Sequence, residues 1–248
     1  MSDMTTMNCN VDELIAVLMS REIEDFETVA CGTISMLPAS AILLAEATHA
    51  PNIDIIIRGS EAYGQDIGRD MHFIAQRGKM DMFFLSAVQF DSGGNFNLHV
   101  LGDPDSPDRR FPGGYGSGML AYTAKKVMFF RSEHSTRVFV PKADFVSGAL
   151  KTGNEVSRPN QTFFCFTPKA ILRWDTARER WALRSYHPGE SPETVQESTG
   201  FPLLIPADVV ETPPPTEEEL QTLRTTVKEL MIESDTYANW ATTAFLPA

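Results

Sequence analysis

The sequence predicts an α/β fold with an open, mostly parallel sheet and helices on both faces. Short β-branched and aromatic runs alternate with apolar helical patterns through the first third of the chain. A strand over residues 27–31, a glycine turn, an apolar helix over 37–49 and a strand over 53–57 together form one βαβ unit. Parallel neighbours require a crossover of this kind, so the order of elements favours a parallel sheet.

Capping and turn signals predict the remaining elements. Asn10 and Glu13 form the capping-box pattern of a helix over 11–21. Gly93-Gly94 lies between two alternating runs and predicts a tight hairpin turn, whereas the segment rich in Pro, Asp and Arg after Gly102-Asp103 predicts a loop. Further strands are expected at 82–85, 126–130, 137–140, 163–166, 171–174 and 181–186, a short helix at 191–198, and a last amphipathic helix from Thr216.

Length and composition predict a single folded domain. The chain has 248 residues, of which 42% are hydrophobic, enough to bury a sizeable core. It contains no internal repeat and no break in composition that demands a second domain. Pro213-Pro214-Pro215 predicts a stiff, extended spacer before the last helix. We therefore expect one domain over residues 1–248, with a helical tail from about residue 213.

Charge and residue usage argue against several classes of function. The net charge of −12 disfavours nucleic-acid binding, which requires clustered Lys and Arg. Apolar runs are shorter than the roughly 20 residues that span a bilayer, and no basic N-terminal signal is present, so we expect a cytoplasmic protein without membrane contact. The three cysteines lack CxxC pairing, and His72, His99 and His134 lack metal-ligand spacing, so we expect no metal.

One acidic residue stands where a ligand would arrive in such a sheet. The stretch Pro51 to Gly68 runs from a β-branched strand into a glycine-punctuated turn, and Glu61 is the first acidic side chain after the strand. Ligands of open α/β sheets bind beyond the carboxyl ends of the strands. Glu61 is therefore a potential nucleophile or base, although an acidic residue at this place is also common as a solvated loop residue or helix cap.

A glycine-rich run is the second candidate site. Gly113, Gly114, Tyr115 and Gly116 precede Ser117, where residues able to start a helix begin. Consecutive N–H groups in such a run can bind a phosphate, a carboxylate or an oxyanion. The alternative is a flexible surface loop. The run is not a P-loop, because no Gly-Lys-Ser/Thr follows it.

Several short segments share their order and spacing with one known family. They are Ser60-Glu61, Gln89-Phe90-Asp91, Gly94 to Asn97, the glycine run from Gly113, Arg137 to Val140, Asp144 to Gly148, His187-Pro188-Gly189, Thr199-Gly200-Phe201 and Pro214 to Leu220. Together they resemble the β subunit of family I coenzyme A transferases, of the glutaconate and 3-oxoacid types, over about residues 29–223.

The resemblance implies a fold, a reaction and a set of site residues. The fold would be the CoA-transferase (NagB/RpiA-like) fold, and Glu61 would attack an acyl-CoA thioester to form first an anhydride and then a glutamyl-CoA thioester. A CoA thioester is then a substrate, and no cofactor is bound permanently. Implied substrate-binding residues are Ser60, Gln89, Gly113, Gly114, Tyr115, Gly116 and Ser117, with a purely structural role at the turn left open for Gln89.

Two departures from the family pattern leave the reaction open. Ala62-Tyr63 follows Glu61 in place of a residue and then glycine, and Ser117 stands where many members have an aspartate. Both changes also make the chain similar to a branch that hydrolyses a carbon–carbon bond in a cyclic CoA thioester during steroid-ring degradation. In that branch Glu61 would be a base, a water-positioning group or merely structural.

The resemblance also implies a partner. The chain carries only the β-type motifs, so a homologous α subunit would complete the site in a heterodimer or heterotetramer. Three hypotheses follow for this chain: a CoA transferase subunit, a ring-opening hydrolase subunit, or a non-catalytic subunit that binds CoA esters.

Overall fold

The computed structural model describes residues 8–33, 35–60, 62–63, 70–112, 114–151, 161–234 and 237–247. The chain divides into two compact units, the first formed by Met1–Phe84 with Pro213–Ala248 and the second by Leu85–Thr212. Each unit combines helices with strands and contains parallel strand pairs, such as Thr28–Cys31 with Asp54–Ile57 in the first and Lys126–Phe130 with Thr162–Phe166 in the second, which confirms the α/β class. That the two units act as the single domain expected from the sequence stays a prediction.

The first unit is built around a parallel βαβ arrangement. Its strands and helices are β1 (Thr28–Cys31), β2 (Asp54–Ile57), β3 (Met82–Leu85), α1 (Val11–Ser20), α2 (Met36–Ala47), α3 (Asp70–Gln76), α6 (Glu217–Thr222), a π-helical segment (Leu223–Val227), α7 (Lys228–Glu233) and α8 (Ala238–Ala244). β1 pairs in parallel with both β2 and β3. The crossover predicted from the sequence is therefore confirmed.

Helix α1 begins at the predicted capping box. The Asn10 side chain accepts a hydrogen bond from the Glu13 N–H, and the Glu13 carboxylate accepts one from the Asn10 N–H, both at 2.9 Å. Two N–H groups that lack an intrahelical partner are thereby satisfied. Glu13 is nevertheless fully buried, so it also needs a cation.

The C-terminal helices supply that cation. Arg224, in the π-helical segment, donates to Glu13 from Nε at 2.8 Å and from Nη2 at 3.1 Å. The Glu13 carboxylate also accepts from the Leu246 N–H at 2.9 Å, and the Asn10 amide donates to the Ala244 carbonyl. Helix α1 is thus tied by its first turn to the last part of the chain.

The second unit has one mixed sheet, one smaller sheet and a separate hairpin. Its strands and helices are β4 (Gln89–Asp91), β5 (Asn95–Asn97), β6 (Val100–Asp103), β7 (Ser106–Arg110), β8 (Lys126–Phe130), β9 (Phe139–Val140), β10 (Gly148–Ala149), β11 (Thr162–Phe166), β12 (Ala170–Asp175), β13 (Arg180–Tyr186), β14 (Val210–Glu211), α4 (Ser117–Thr123) and α5 (Pro192–Glu197). In the larger sheet β8 pairs in parallel with β11, β12 is antiparallel to β11 and β13, and β14 is parallel to β13. The smaller sheet has the order β10-β5-β4-β9.

The expected loop after Gly102-Asp103 is wrong, because these residues form the antiparallel hairpin β6–β7. Gly102 adopts a φ of +83°. The Asp103 carboxylate accepts from the Asp105 N–H at 2.8 Å, which closes the turn. Strand β7 is mostly exposed, so it shows no hydrophobic alternation, and the backbone ladder and the aspartate turn hold the hairpin instead.

The β4–β5 hairpin confirms the turn predicted at Gly93-Gly94. Gly94 has a φ of +77°, and a Cβ atom built on it would lie 2.6 Å from Cη2 of Trp174. Gly94 therefore satisfies two constraints, a left-handed backbone and direct contact with a buried indole.

We expect Gly94→Ala to lower the free energy of unfolding by about 2–4 kcal/mol, from the left-handed backbone and the displaced ring together. The matched control is Gly78→Ala, because Gly78 has a φ of +69° but no atom within 4 Å of its Cβ position. Urea unfolding should therefore give Gly78→Ala only about 1 kcal/mol of destabilisation. Equal losses in the two variants would contradict the contact with Trp174.

Candidate functional site

A closed loop follows strand β2, where the sequence predicts the catalytic carboxylate. The Ser60 N–H donates to the Ile57 carbonyl at 3.1 Å, and the Tyr63 N–H donates to Ser60 Oγ at 3.2 Å. The Ile57 N–H in turn donates to the Tyr63 carbonyl at 3.0 Å. Ser60 is buried, so its hydroxyl holds the turn from inside. Glu61 and Gly113 lie outside the described residues.

Gly59 makes this sharp exit from the strand possible. Its φ is +88°, and a Cβ at this position would lie 3.2 Å from Cγ2 of Thr33. A residue with a side chain would be strained here and would push against the turn after β1. The chain therefore turns away from strand β2 at Gly59.

The glycine loop 114–117 has an unusual backbone. Tyr115 has a φ of +21° and Gly116 a φ of +74°, so two successive residues leave the usual regions just before α4. The Ser117 N–H bonds back to the Gly114 carbonyl. Tyr115 is 63% exposed. Non-glycine residues with positive φ occur preferentially at functional sites.

Gln89 ties strand β4 to the segment before β10. Its Oε1 accepts from Asn97 Nδ2 at 2.8 Å and from the Asp144 N–H at 3.0 Å, while its Nε2 donates to Asp144 Oδ2 at 3.0 Å. Both acceptor positions and one donor of the buried amide are thus occupied. These contacts give Gln89 the structural role that was left open, and its contact with substrate stays a prediction.

His99 is a candidate functional residue that the sequence pattern does not indicate, because its only sequence signal is the absence of metal-ligand spacing. Its Nδ1 lies 2.6 Å from Ser147 Oγ, and its ring contacts Phe145 edge-on with the centroids 5.5 Å apart. A Cβ atom built on Gly114 would lie 3.4 Å from Cε1 of His99. The ring therefore lies directly against the glycine loop. Only the tertiary contact with residue 147 distinguishes it from an ordinary hairpin residue.

Two other histidines are buried and fully hydrogen-bonded. The ring nitrogens of His134 contact Thr167 Oγ1 at 2.8 Å and Thr199 Oγ1 at 3.0 Å. Those of His187 contact Thr212 Oγ1 at 3.0 Å and the Thr167 carbonyl at 2.9 Å. Burial, with smaller effects of the Lys169 and His187 charges, lowers the pKa of His134 to about 3, and burial lowers that of His187 to about 4. Both are neutral structural side chains at physiological pH.

These pKa values predict acid sensitivity above the range in which carboxylates titrate. An unfolded histidine has a pKa of about 6.5, so the unfolded state binds more protons than the folded state below that pH. We expect the free energy of unfolding to fall by about 2 kcal/mol per buried histidine between pH 6.5 and 5. Urea titrations at several pH values measure how steeply the free energy of unfolding changes with pH. His134→Gln should lower the number of protons taken up on unfolding by about one. A free energy that stays constant from pH 7 to 5 would contradict the burial of both imidazoles.

The cysteines are not candidate nucleophiles. Cys9, Cys31 and Cys165 are buried free thiols. Burial raises the pKa of all three, that of Cys9 to about 11, so they stay protonated at neutral pH. Among the residues with defined positions, no cluster of three or more His, Cys, Asp and Glu side chains could hold a metal ion. No helix in the same residues has the length and apolar character needed to cross a bilayer.

A match to a known protein family covers the segments that carry most of the candidate site residues. A family model described as coenzyme A transferase matches residues 59–198, which is more than half of the chain. The chain belongs to the coenzyme A transferase family. The match includes Ser60, Gln89 and the glycine loop, and the resemblance inferred from the sequence is confirmed.

Relatives of this family member are named for more than one reaction. The B subunit of 3-oxoadipate CoA-transferase from Pseudomonas knackmussii is 28% identical over 242 residues, covering 87% of this chain and 92% of that protein. The B subunit of glutaconate CoA-transferase from Acidaminococcus fermentans is 27% identical over 248 residues, covering 87% and 91%. The cholesterol ring-cleaving hydrolase IpdB subunit of Rhodococcus jostii is 26% identical over 144 residues, covering 56% of each chain.

Solved structures confirm the expected CoA-transferase fold. Glutaconate coenzyme A-transferase of Acidaminococcus fermentans has a TM-score of 0.76 at 24% identity, covering 88% of this chain and 95% of that chain. The decarboxylase AibA/AibB has a TM-score of 0.74 at 24% identity, covering 86% and 92%. Because proteins named for different reactions share the fold, the reaction must be argued from the site.

Proposed function

We propose that this chain is the B-type subunit of a heteromeric enzyme that moves CoA between an acyl-CoA thioester and a carboxylic acid. The observation that carries this proposal is the family match together with two relatives, both named as B subunits of CoA-transferases, that the chain covers over more than nine tenths of their length. A homologous A-type subunit completes the enzyme as a heterodimer or heterotetramer. The enzyme works in the cytoplasm, with CoA thioester as substrate and without a permanently bound cofactor.

Glu61 is the nucleophile of the proposed reaction. Its carboxylate oxygen attacks the thioester carbonyl carbon, and collapse of the tetrahedral adduct breaks the carbon–sulfur bond and releases CoA thiolate. The thiolate then attacks the glutamyl carbonyl of the anhydride and expels the acyl group as a carboxylate. A second carboxylate then attacks the glutamyl-CoA thioester and releases CoA thiolate, which forms a new anhydride. The thiolate attacks the acyl carbonyl of this anhydride, so that the new acyl-CoA leaves and the Glu61 carboxylate is restored.

The described surroundings of residue 61 support this role. Ser60 and Tyr63 on either side of it are hydrogen-bonded into the loop that closes back on Ile57, at the carboxyl end of β2. Ligands of parallel sheets bind at this end of the strands. By resemblance to the family, backbone N–H groups of the glycine loop 114–117 stabilise the developing oxyanion.

A covalent adduct tests the proposal. The chain is co-expressed with an A-type partner, incubated with acyl-CoA, treated with borohydride and analysed by peptide mass spectrometry. Borohydride reduces a glutamyl thioester to an alcohol, so we expect a loss of mass at the peptide containing residue 61, absent in Glu61→Ala. The outcome that would refute the proposal is consumption of thioester to a product that keeps its CoA, with no change at this peptide.

The second candidate function is ring-opening hydrolysis of a cyclic CoA thioester. The relative that favours it is the IpdB subunit, and Ala62-Tyr63 and Ser117 are the residues that depart from the transferase pattern. In this reaction water attacks, and Glu61 forms no covalent adduct. The borohydride experiment therefore distinguishes the two functions, with a retained CoA ester and an unmodified Glu61 favouring the hydrolase.

A further inference from the structure

The second unit contains a cavity of about 560 Å³, which lies against strands β11, β12 and β13. Residues 175–178 of the β12–β13 turn and residues of the segment 206–209 also line it. Ala182 lies directly opposite Arg173 on the neighbouring strand, and its short side chain leaves this space open. Sites for small molecules typically have volumes of about 300–1,000 Å³, so the cavity is large enough for one.

Two of the arginines that line the cavity border the same aromatic ring. Arg184 reaches from β13 across β12 and places its guanidinium over the ring of Phe164 on β11, 4.4 Å from the ring centroid. Arg173 on β12 is the cross-strand partner of Phe164. Because cross-strand partners share a face of the sheet, both cationic side chains belong to the same face. Neighbouring like charges there make this face attractive to an anion.

The acids of the cavity leave Arg173 without a counter-ion. Its exposed guanidinium has no hydrogen bond and no ion pair with any described residue. Asp175 is already occupied, since its carboxylate accepts from Arg178 Nη1 at 2.7 Å and from the Arg178 N–H at 2.9 Å. Asp208, the other acid in the lining, is exposed and forms no ion pair within the described part of the chain. An anionic ligand would supply the missing charge.

The cavity lies at the far end of helix α4 from the glycine loop 114–117. Gln161, which lines the cavity, donates to the carbonyls of Ala121 and Tyr122 in the last turn of α4, at 3.2 and 3.0 Å. Thr162, also in the lining, is the first residue of β11. Ligands of open α/β sheets bind beyond the carboxyl ends of the strands, whereas this cavity reaches the amino end of a parallel strand. Its ligand is therefore expected to differ from the acyl-CoA substrate.

We propose that this cavity binds a small organic anion other than acyl-CoA, whose phosphate or carboxylate group is held by the guanidiniums of Arg173 and Arg184. Guanidinium groups bind both kinds of anion through paired hydrogen bonds. The contact with Phe164 restricts the Arg184 guanidinium, so less conformational freedom is lost when the anion binds. The inference does not depend on which reaction the enzyme catalyses.

Calorimetric titration of the assembled heteromer with pyrophosphate, and separately with citrate, tests the site and distinguishes a phosphate from a carboxylate ligand. We expect saturable binding of one anion per B-type chain. Arg173→Gln should weaken this binding on the order of 10- to 100-fold, because a hydrogen-bonded charge pair is lost. Lys142→Gln is the matched control, since it makes the same charge change at an exposed residue outside the cavity and should bind as the wild type does.

Ala182→Leu separates binding inside the cavity from general attraction to surface charge. The larger side chain fills the space beside Arg173 and leaves every charge in place. We expect a loss of affinity at least 10-fold, with circular dichroism and assembly with the A-type partner unchanged. Unchanged affinity in Ala182→Leu would contradict a ligand inside the cavity, while Arg173→Gln, at an exposed position, keeps the proposal testable if the leucine variant does not fold.

Three results would overturn the proposal. They are the absence of saturable binding of either anion to the wild-type complex, equal affinities in Arg173→Gln and Lys142→Gln, and competitive displacement of the bound anion by acyl-CoA. The last result would assign the cavity to the substrate. Binding is measured without turnover, so each result is independent of whether Glu61 forms a covalent adduct.

Discussion

Glu61→Gln, assembled with its A-type partner, is expected to lose CoA transfer by a factor on the order of 10⁴ or more in kcat, the scale seen when an enzyme loses its attacking group. The amide keeps the size of the side chain and its ability to bond, but it cannot form an anhydride with the acyl group. Binding of acyl-CoA should change little, because the glycine loop and the partner are intact. Steady-state transfer and equilibrium binding of the thioester measure the two effects separately.

Asp54→Asn is the matched control for this charge change. Asp54 lies at the opposite end of the same strand, where it is exposed, and its replacement should leave kcat unchanged. A Glu61→Gln enzyme that keeps more than about a tenth of wild-type transfer would contradict a nucleophilic glutamate, since a general base alone typically contributes 10²–10⁴-fold.

Arg224→Met should produce the largest loss of stability, about 3–5 kcal/mol in the free energy of unfolding. The pair with Glu13 is almost fully removed from solvent, with side-chain exposures of 7% and 0% for Arg224 and Glu13. Removing the guanidinium leaves a buried carboxylate without its cation, and the N–H donors of Asn10 and Leu246 cannot neutralise its charge. Denaturant unfolding monitored by circular dichroism measures the loss.

A double variant shows whether the uncompensated charge is the cause. Glu13→Gln combined with Arg224→Met replaces the ion pair by neutral groups, and the amide oxygen introduced by Glu13→Gln can still accept from the backbone donors. We expect this protein to be more stable than Arg224→Met alone, by about 1–3 kcal/mol. If the double variant is as unstable as the sum of the single ones, lost packing of the Arg224 stem, and not the buried charge, would explain the destabilisation.

The elements set by local chemistry were predictable from the sequence. Asn10 and Glu13 predict the start of α1, and Gly93-Gly94 predicts the β4–β5 turn, because capping and tight turns depend on residues that are close in the chain. The hairpin β6–β7 was not predictable, since its exposed strand has no alternating pattern. The hairpin is held by backbone hydrogen bonds, which every residue type except proline can both donate and accept.

The candidate site also contains residues that the sequence indicates and residues that it does not. Ser60 and the glycine loop could be found because strand ends and glycine runs mark ligand edges in the sequence. The pairing of His99 with Ser147 joins residues 48 positions apart and depends on how β5 and β10 align. No local sequence pattern can indicate a contact between residues so far apart in the chain. For the same reason the burial of Glu13 against Arg224 could not be inferred, although its capping role could.

The bonds from α1 to the end of the chain have a consequence for the order in which the protein folds during synthesis. The first unit needs Pro213–Ala248, which are synthesised after Leu85–Thr212, whereas Leu85–Thr212 form a continuous unit. Domains generally fold as units as they emerge. The unit formed by Leu85–Thr212 can therefore fold before Arg224 has been synthesised. Until then, Glu13 of α1 lacks its ion-pair partner. Helix α1 therefore reaches its native environment only after Arg224 and Leu246 have been synthesised.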